Sequence, residues 1–388
     1  MRQQSTFRKV SQMKKKSMKN SKAIKVSVII PVYNAGNYIS QMLESVLGQS
    51  MQEIEIICVN DGSADDSGEI IRSFMSRDSR ITLLEQPNIN AGAARNRGLS
   101  QAKGKYVVFW DADDKFDRKA LEIMCRKMQK TQADICVCGV CEFMGDGKVY
   151  ETEGYLKMGL IPDKDPFNKF DLCDSIFNFG SNMVWNKMFR RKFLAEHHLC
   201  FQEIRQANDT AFVMKAVYGA ERITCVDRYL AYHRMDNADS LTGRSSETVF
   251  CPYESYLFTL EELEKEPEFS LVKRSFRNKA AMGMFRALNI QTSFNCYEVL
   301  YDFLQREGLE RLGLTECGRE DMEEEWMLAD LERMQMMSAE EFLLCKANER
   351  RMDRDRLKYT LQRVRRRLSV LLAVNQKLKQ IKGFAGRR

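Results

Sequence analysis

The chain has 388 residues, 44% hydrophobic and 30% charged, with a formal net charge of +7, a composition that excludes disorder throughout and suits one large core or two moderate ones. The charge is uneven: residues 1–25 carry nine Lys/Arg and no acid, residues 346–388 carry fifteen against three, so the ends hold +21 and the body between them −14. Twelve scattered cysteines, many inside apolar runs and with no legible signal peptide before them, point to reduced thiols in a cytoplasmic protein, and no apolar run approaches the roughly 20 residues of a membrane span.

Residues 1–24 are expected to form a flexible basic tail. From Lys25 the chain alternates. The β-branched run Val26–Val32 is followed by helical spacing over Asn37–Leu47, through Tyr38, Met42, Val46 and Leu47. Further strands are predicted at Ile54–Val59, Ile81–Leu84, Tyr106–Trp110 and Ile135–Val140, with helices at Ser67–Met75, Ala91–Gln101 and Lys119–Lys130 between them. Repeated βα units imply an α/β fold with a mostly parallel, Rossmann-like sheet flanked by helices. Cys136, Cys138 and Cys141 hint at zinc, but they alternate within a buried-strand pattern and lack a nearby fourth ligand.

After about residue 145 the alternation fades, with turn residues at Gly145–Gly147 and Ile161–Pro166. We expect a nucleotide-binding half over 25–145, an acceptor half over 146–245, and a helical C-terminal region over 246–345. From residue 346 a basic helix carries a heptad of Leu357, Leu361, Val364, Leu368, Leu371, Asn375 and Leu378, which suits a parallel homodimer or a helix lying on anionic lipid.

Ligands of open α/β sheets bind beyond the C-terminal ends of the strands, and those ends are chemically loaded here. The first strand ends in Pro31-Val32-Tyr33-Asn34 and the second in Asn60-Asp61-Gly62-Ser63. Asp61 can accept the imide N–H of uracil while Tyr33 stacks on a base; alternatively, these residues form only a turn and a helix cap. The fourth strand runs into Asp111-Ala112-Asp113-Asp114. Crowded acids repel unless a cation joins them, and a divalent ion held by Asp111 and Asp113 would bridge to a diphosphate. A solvated acidic turn capped by Asp114 or Asp117 is the competing reading.

These motifs, together with Gly92-Ala93-Ala94-Arg95-Asn96-Arg97-Gly98, resemble those of a family 2 glycosyltransferase of the GT-A fold, of the bacterial surface-polysaccharide type, over roughly Lys25–Leu241. The resemblance implies a UDP-sugar donor, Mn²⁺ or Mg²⁺, and inversion at the anomeric carbon. It implies that Pro31, Tyr33 and Asp61 surround base and ribose, that Gly92, Arg95 and Asn96 lie beside the nucleotide and donor sugar, and that Asp111 meets ribose or sugar and Asp113 the metal. Asn208-Asp209-Thr210-Ala211-Phe212 occupies the place of the family's acidic pair before an aromatic, with Asn208 where Glu is usual and Asp209 as the general base. Trp185, Asn186 and Lys187 are similar to a segment near the acceptor, and Trp185 suits either a sugar ring or the core. His233, Arg234 and Ser240 resemble a loop closing over the diphosphate, with His233 meeting metal or phosphate.

The resulting expectation is an inverting transferase that extends a glycan or lipid-linked glycan at the inner face of the cell membrane, its basic ends on anionic lipid, with nucleic acid not the expected partner. Two alternatives stay open. One is a nucleotidyltransferase, for which no Gly/Arg/Lys-rich triphosphate loop is found; the other is a catalytically degenerate membrane-surface or RNA-binding scaffold, suggested by Asn208 and the basic ends.

Overall fold

The computed structural model describes residues 23–237 and 248–354. Ser240, most of the N-terminal basic segment and the heptad from Leu357 lie outside the described residues.

The predicted βα units form. Strands β1 (Val26–Val32), β2 (Ile54–Asp61), β3 (Ile81–Gln86) and β4 (Tyr106–Phe109) alternate with helices α1 (Ile39–Leu47), α2 (Ser67–Met75) and α3 (Ala91–Gln101). A short β5 (Lys115–Phe116) leads into α4 (Ala120–Thr131), β6 (Ile135–Phe143) and its hairpin partner β7 (Val149–Thr152). An irregular stretch then delivers β8 (Lys187–Arg190), α5 (Arg191–Glu196), α6 (Asn208–Gly219) and β9 (Ile223–Arg234). Further helices follow, among them α7 (Cys251–Leu263), α8 (Phe269–Asn289), α9 (Phe294–Phe303) and α10 (Glu325–Met336), and residues 339–354 are also helical.

The sheet order is β3-β2-β1-β4-β8-β6-β9-β5. The half β3-β2-β1-β4 is parallel, as the alternation predicts. Beyond it the sheet is mixed, because β8 runs antiparallel to both β4 and β6. Two reversals restore direction, and β6 pairs parallel with β9. Strands β1, β2, β3, β4, β6 and β9 therefore point one way, and their C-terminal ends share one edge.

Both faces of the sheet are buried, which is why its strands read as continuous apolar runs. Val28, Ile30, Ile56, Val108 and Trp110 pack with Ile39, Met42, Ile71, Leu121 and Met124 of α1, α2 and α4. Ile29, Ile57, Val107 and Phe109 face the opposite core, with Ala94 of α3 and Phe212 of α6. Gly98 lets α3 settle on β1, since a Cβ there would lie 2.4 Å from Ile29. The cysteines at 136, 138 and 141 are buried strand residues, and burial pushes the Cys138 thiol up to about 12.

The C-terminal helices do not build a core of their own. Phe276, Tyr256, Leu300 and Leu331 belong to the same apolar cluster as Phe109 and Phe212. The join is also polar: the Phe177 N–H donates to Ser275 Oγ at 2.9 Å, and Asn178 Nδ2 donates to the Ser275 carbonyl at 3.1 Å.

Phe276, edge-on to Phe177 and Phe269, tests this continuity. Phe276→Ala is expected to cost about 3–5 kcal/mol, as for other buried aromatics, and to move one cooperative urea transition followed by near- and far-ultraviolet circular dichroism. A biphasic curve in which only the helical step moves would mean two separate cores.

Candidate functional site

The loops after β1 and β2 are stitched together at the common edge. Ala64 N–H donates to Asn34 Oδ1 at 2.9 Å, Asn34 N–H to Ser63 Oγ at 3.0 Å, and Gly36 N–H to Asp65 Oδ2 at 2.8 Å. Burial works against the Asp65 charge, but the Ser67 hydroxyl and the Gly36 and Ser67 N–H groups outweigh it and hold its carboxyl below the usual range. Gly62, at φ +72, turns the chain where a Cβ would lie 2.7 Å from the Asn88 nitrogen. Pro31 follows the end of the β1–β4 pairing at Ile29, so its missing N–H costs that ladder nothing.

Asp61 is buried, and Oδ1 accepts from Gln86 Nε2 at 2.7 Å and Ile89 N–H at 3.0 Å. Its Oδ2 accepts nothing among the described residues. Tyr33, 47% exposed, stands on the adjoining β1 loop.

Helix α3 starts at Asn90, whose side chain caps Ala93. The three residues that the resemblance assigns to the nucleotide on this helix have other work. Gly92 is needed because a Cβ would meet the Gln202 carbonyl oxygen at 2.1 Å. Asn96 is spent on the backbone of Phe201, donating to its carbonyl at 3.0 Å and accepting its N–H at 2.8 Å. Arg95 is buried and grips two loops, through Nη2 to Asp111 Oδ1 at 2.6 Å and Nη1 to Asn208 Oδ1 at 2.7 Å. It lies against the Phe201 ring, and its Nε has no partner.

The acidic stretch after β4 divides by role. Asp111 faces Arg95. Asp113 accepts from Asn237 Nδ2 at 2.7 Å, and burial, then the Asp111 charge, push its carboxyl up. Asp114 is buried, with Oδ1 3.0 Å from His233 Nδ1 and accepting the Arg234 N–H at 3.0 Å, while Oδ2 is unpartnered. Burial pushes Asp114 up to about 7. Burial alone would lower His233, but the bond to Asp114 and the charges of Asp114, Asp113 and Asp111 raise it. Asp114 and His233 thus form a close pair, with the imidazole partly exposed. His233 also stacks on Trp185 at 5.0 Å, and Nδ1 is the nitrogen that meets Asp114. Among the described residues no three His, Cys, Asp or Glu side chains form a ready metal cage.

Asp209 lies in the first turn of α6, after Ala207 at φ +57. Burial raises its carboxyl; Arg95 opposes this and Asp111 adds to it. No other side chain bonds to it among the described residues. Its neighbour Asn208 is buried, and its Oδ1 accepts from Arg95.

The segment 185–187, which the resemblance sets near an acceptor, is internal in the structure. Trp185 is buried against His233 and Tyr155. Asn186 donates to the Cys138 carbonyl at 2.9 Å, and Lys187 Nζ donates to the carbonyls of Ser181 and Met183 and to Asn186 Oδ1 at 2.6–2.8 Å. Arg234 is also committed, to Gln41 Oε1 at 2.8 Å and the Asp113 carbonyl at 3.1 Å. The sequence reading missed Asn237 beside Asp113 and the pairing of Asp114 with His233, because no motif marks either contact.

Comparison with known proteins agrees with this fold. The family described as glycosyl transferase family 2 matches residues 27–197. The chain is 32% identical over 222 residues to the uncharacterized glycosyltransferase EpsJ of Bacillus subtilis, covering 56% of this chain and 62% of EpsJ. It is 31% identical over 252 residues to EpsH of the same organism, described as a glycosyltransferase, covering 63% of this chain and 71% of EpsH. The chain thus spans less than two thirds of the first of these relatives. Residues 1–349 of TarS from S. aureus, crystallised with UDP-GlcNAc, share the fold at a TM-score of 0.62 and 18% identity, covering 84% of this chain and 92% of that one. That coverage takes in the C-terminal helices.

Burial lowers Lys187 from 10.5 to about 7. An unfolded lysine keeps its proton up to about pH 10, so between about 7 and 10 the unfolded state binds more protons and stability rises with pH. Relative to Lys187→Met, the protein is expected to gain about 2 kcal/mol between pH 7 and 8.5 in urea unfolding, at 1.36 kcal/mol per unit. A constant difference would show that Lys187 stays charged in its ring of acceptors.

Proposed function

This chain belongs to glycosyltransferase family 2, and from that membership we propose that it transfers a sugar from a UDP-sugar, with inversion, to a glycan or lipid-linked glycan acceptor of the cell surface. The observation that carries the reading is the carboxylate of Asp209, raised by burial and without a side-chain partner, beside the Arg95–Asp111 pair.

Asp61 suits the base because its free Oδ2 needs an N–H donor. Uracil presents an imide N–H there and cytosine an acceptor, so the carboxylate discriminates between them. Tyr33 is exposed for stacking on the same base. The TarS complex with UDP-GlcNAc supports a UDP-sugar as the donor class.

Inversion needs a base on the sugar face opposite the leaving diphosphate. Asp209 takes the acceptor hydroxyl proton, and its elevated proton affinity makes it the stronger base. Asn208 receives the Arg95 N–H as a carboxylate would, leaving Asp209 as the one carboxylate of this turn. A divalent cation, Mn²⁺ or Mg²⁺, fits the other side: the mutual repulsion of Asp111 and Asp113 and the orphaned Asp114 Oδ2 mark an excess of negative charge. Asp113 and His233 Nε2 would hold it, with diphosphate oxygens completing the shell. When bound, it neutralises charge on the departing nucleotide. No helix among the described residues is long and apolar enough to cross a membrane, and the basic ends favour peripheral attachment to anionic lipid at the inner face of the membrane.

Thermal unfolding with UDP, CDP and GDP, each with and without Mn²⁺, tests the donor site. UDP with Mn²⁺ is expected to stabilise selectively, by about 2.7 kcal/mol at a hundredfold excess over Kd; Asp61→Asn should erase the preference over CDP. Equal response to all three nucleotides would reject Asp61 as the base reader.

For the chemistry, Asp209→Asn is expected to keep UDP–Mn²⁺ stabilisation and lose roughly 10²–10⁴ in turnover. In the unmodified protein the acid limb of the rate profile should lie above the usual carboxylate range, as the direction of the Asp209 shift requires. Unchanged turnover in the variant would remove Asp209 as the base.

A further inference from the structure

Strands β2 and β3 run parallel, with Asn60 opposite Glu85 and Asp61 opposite Gln86. Each of these two rungs sets one carboxylate against one carboxamide, in crossed order. In the first, Asn60 Nδ2 donates to Glu85 Oε2 at 2.8 Å, and Arg72 Nη2 of α2 donates to Glu85 Oε1 at 2.7 Å. Asn60 Oδ1 accepts the Ser63 N–H at 3.1 Å, which fastens the Gly62 turn. In the second, Gln86 Nε2 donates to Asp61 Oδ1 at 2.7 Å. An ionised carboxylate can only accept, so the amide must present its NH₂ group here.

Both members of the second rung are buried. Pro87 has no N–H to continue the ladder, β3 ends at Gln86, and the Ile89 N–H reaches the same Asp61 oxygen at 3.0 Å. Two donors therefore meet Oδ1 and none among the described residues meets Oδ2. The terminal torsion of an aspartate is broad when left to itself, so this pair of bonds is what sets the plane of the carboxyl group. Ile89 stands on a loop, whereas Gln86 belongs to the strand paired with β2 itself. The charged groups on the surrounding elements are engaged elsewhere: Glu85 with Arg72, Asp65 with Gly36 and Ser67, and Arg95 of α3 with Asp111.

We propose that Gln86 is the positioning residue for the choice of nucleobase: its amide holds Asp61 Oδ1 so that Oδ2 faces the base as an acceptor. The inference rests on the reading of Asp61 as the base reader and deepens it by naming what sets that specificity. An amide suits the task because it donates throughout the working pH range and adds no charge. An apolar side chain in its place would leave Asp61 buried with one donor fewer, a setting in which a carboxyl takes up a proton. A protonated carboxyl offers an O–H, which cytosine can accept and the uracil imide N–H cannot. A glutamate would set a second acid against the first, and two carboxyl groups in contact share one proton.

Calorimetric titration of the full chain with UDP and with CDP, both in Mn²⁺, at pH 6 and pH 8, reads the ratio of the two affinities, in which the common diphosphate cancels. The unsubstituted protein is expected to hold the same UDP preference at both pH values. Gln86→Met should reduce that preference roughly tenfold or more, the scale of a lost hydrogen bond to a charged group. Gln86→Glu separates positioning from packing and also covers the case in which the methionine variant does not fold. Burial and the Asp61 charge raise the new carboxyl; below its pKa it donates an O–H as the amide does, and above it carries a second negative charge. The UDP preference should therefore be kept at pH 6 and fall at pH 8. Glu85→Gln, which alters the neighbouring rung alone, should leave the ratio unchanged. A UDP preference that survives Gln86→Met overturns the proposal, as does a flat or reversed pH dependence in Gln86→Glu. Equal loss in Glu85→Gln also overturns it, by assigning the effect to β2–β3 packing. Absence of a UDP preference in the unsubstituted protein instead rejects Asp61 as the base reader, so the two failures are distinguishable.

Discussion

The guanidinium of Arg95 holds together the two sides of the cleft. One end grips Asp111 on the loop after β4 and the other grips Asn208 at the start of α6, so the residues that follow each contact, Asp113 and Asp209, are placed by the same side chain. Aromatic packing fixes the arginine itself: Phe201 lies beneath it and stacks on Phe212 of α6 at 3.9 Å. A buried charge tolerates this setting only while its partners are present, because an uncompensated one costs several kcal/mol. The loop after β4 and the start of α6 are thereby tied to one side chain.

Much of the polar chemistry in the signature segments supports this arrangement from behind. Asn96 and Gly92 bring the 201–203 segment against α3, Asn186 and Lys187 hold the 181–186 turn, and Arg234 pins the end of β9 to α1. Their hydrogen-bonding capacity is largely used inside the protein. Among the described residues, what remains open is a short set: Tyr33 and Asp61 Oδ2 at one end, the Asp113 and His233 corner, and Asp209. A rigid frame with few free groups is the arrangement that pre-organised electrostatic catalysis calls for.

The C-terminal helices are part of that frame. They share a core with the sheet and receive the 175–182 segment through Ser275 and Lys279.

Periodicity determined the strands and helices of the first 140 residues, since a strand buried on both faces needs an apolar run and each amphipathic helix a spaced stripe. The order of the motifs along the chain carried the family, because turn glycines and strand-end carboxylates are local requirements written in consecutive residues. The antiparallel insertion of β8, the sharing of one core with α7–α10, and the inward aim of Arg95, Asn96, Trp185, Asn186 and Lys187 were decided only in three dimensions. A polar side chain reads alike in sequence whether it meets a ligand or a carbonyl 100 residues away, and Asn96 on Phe201 and Arg95 on Asn208 are pairings of that kind.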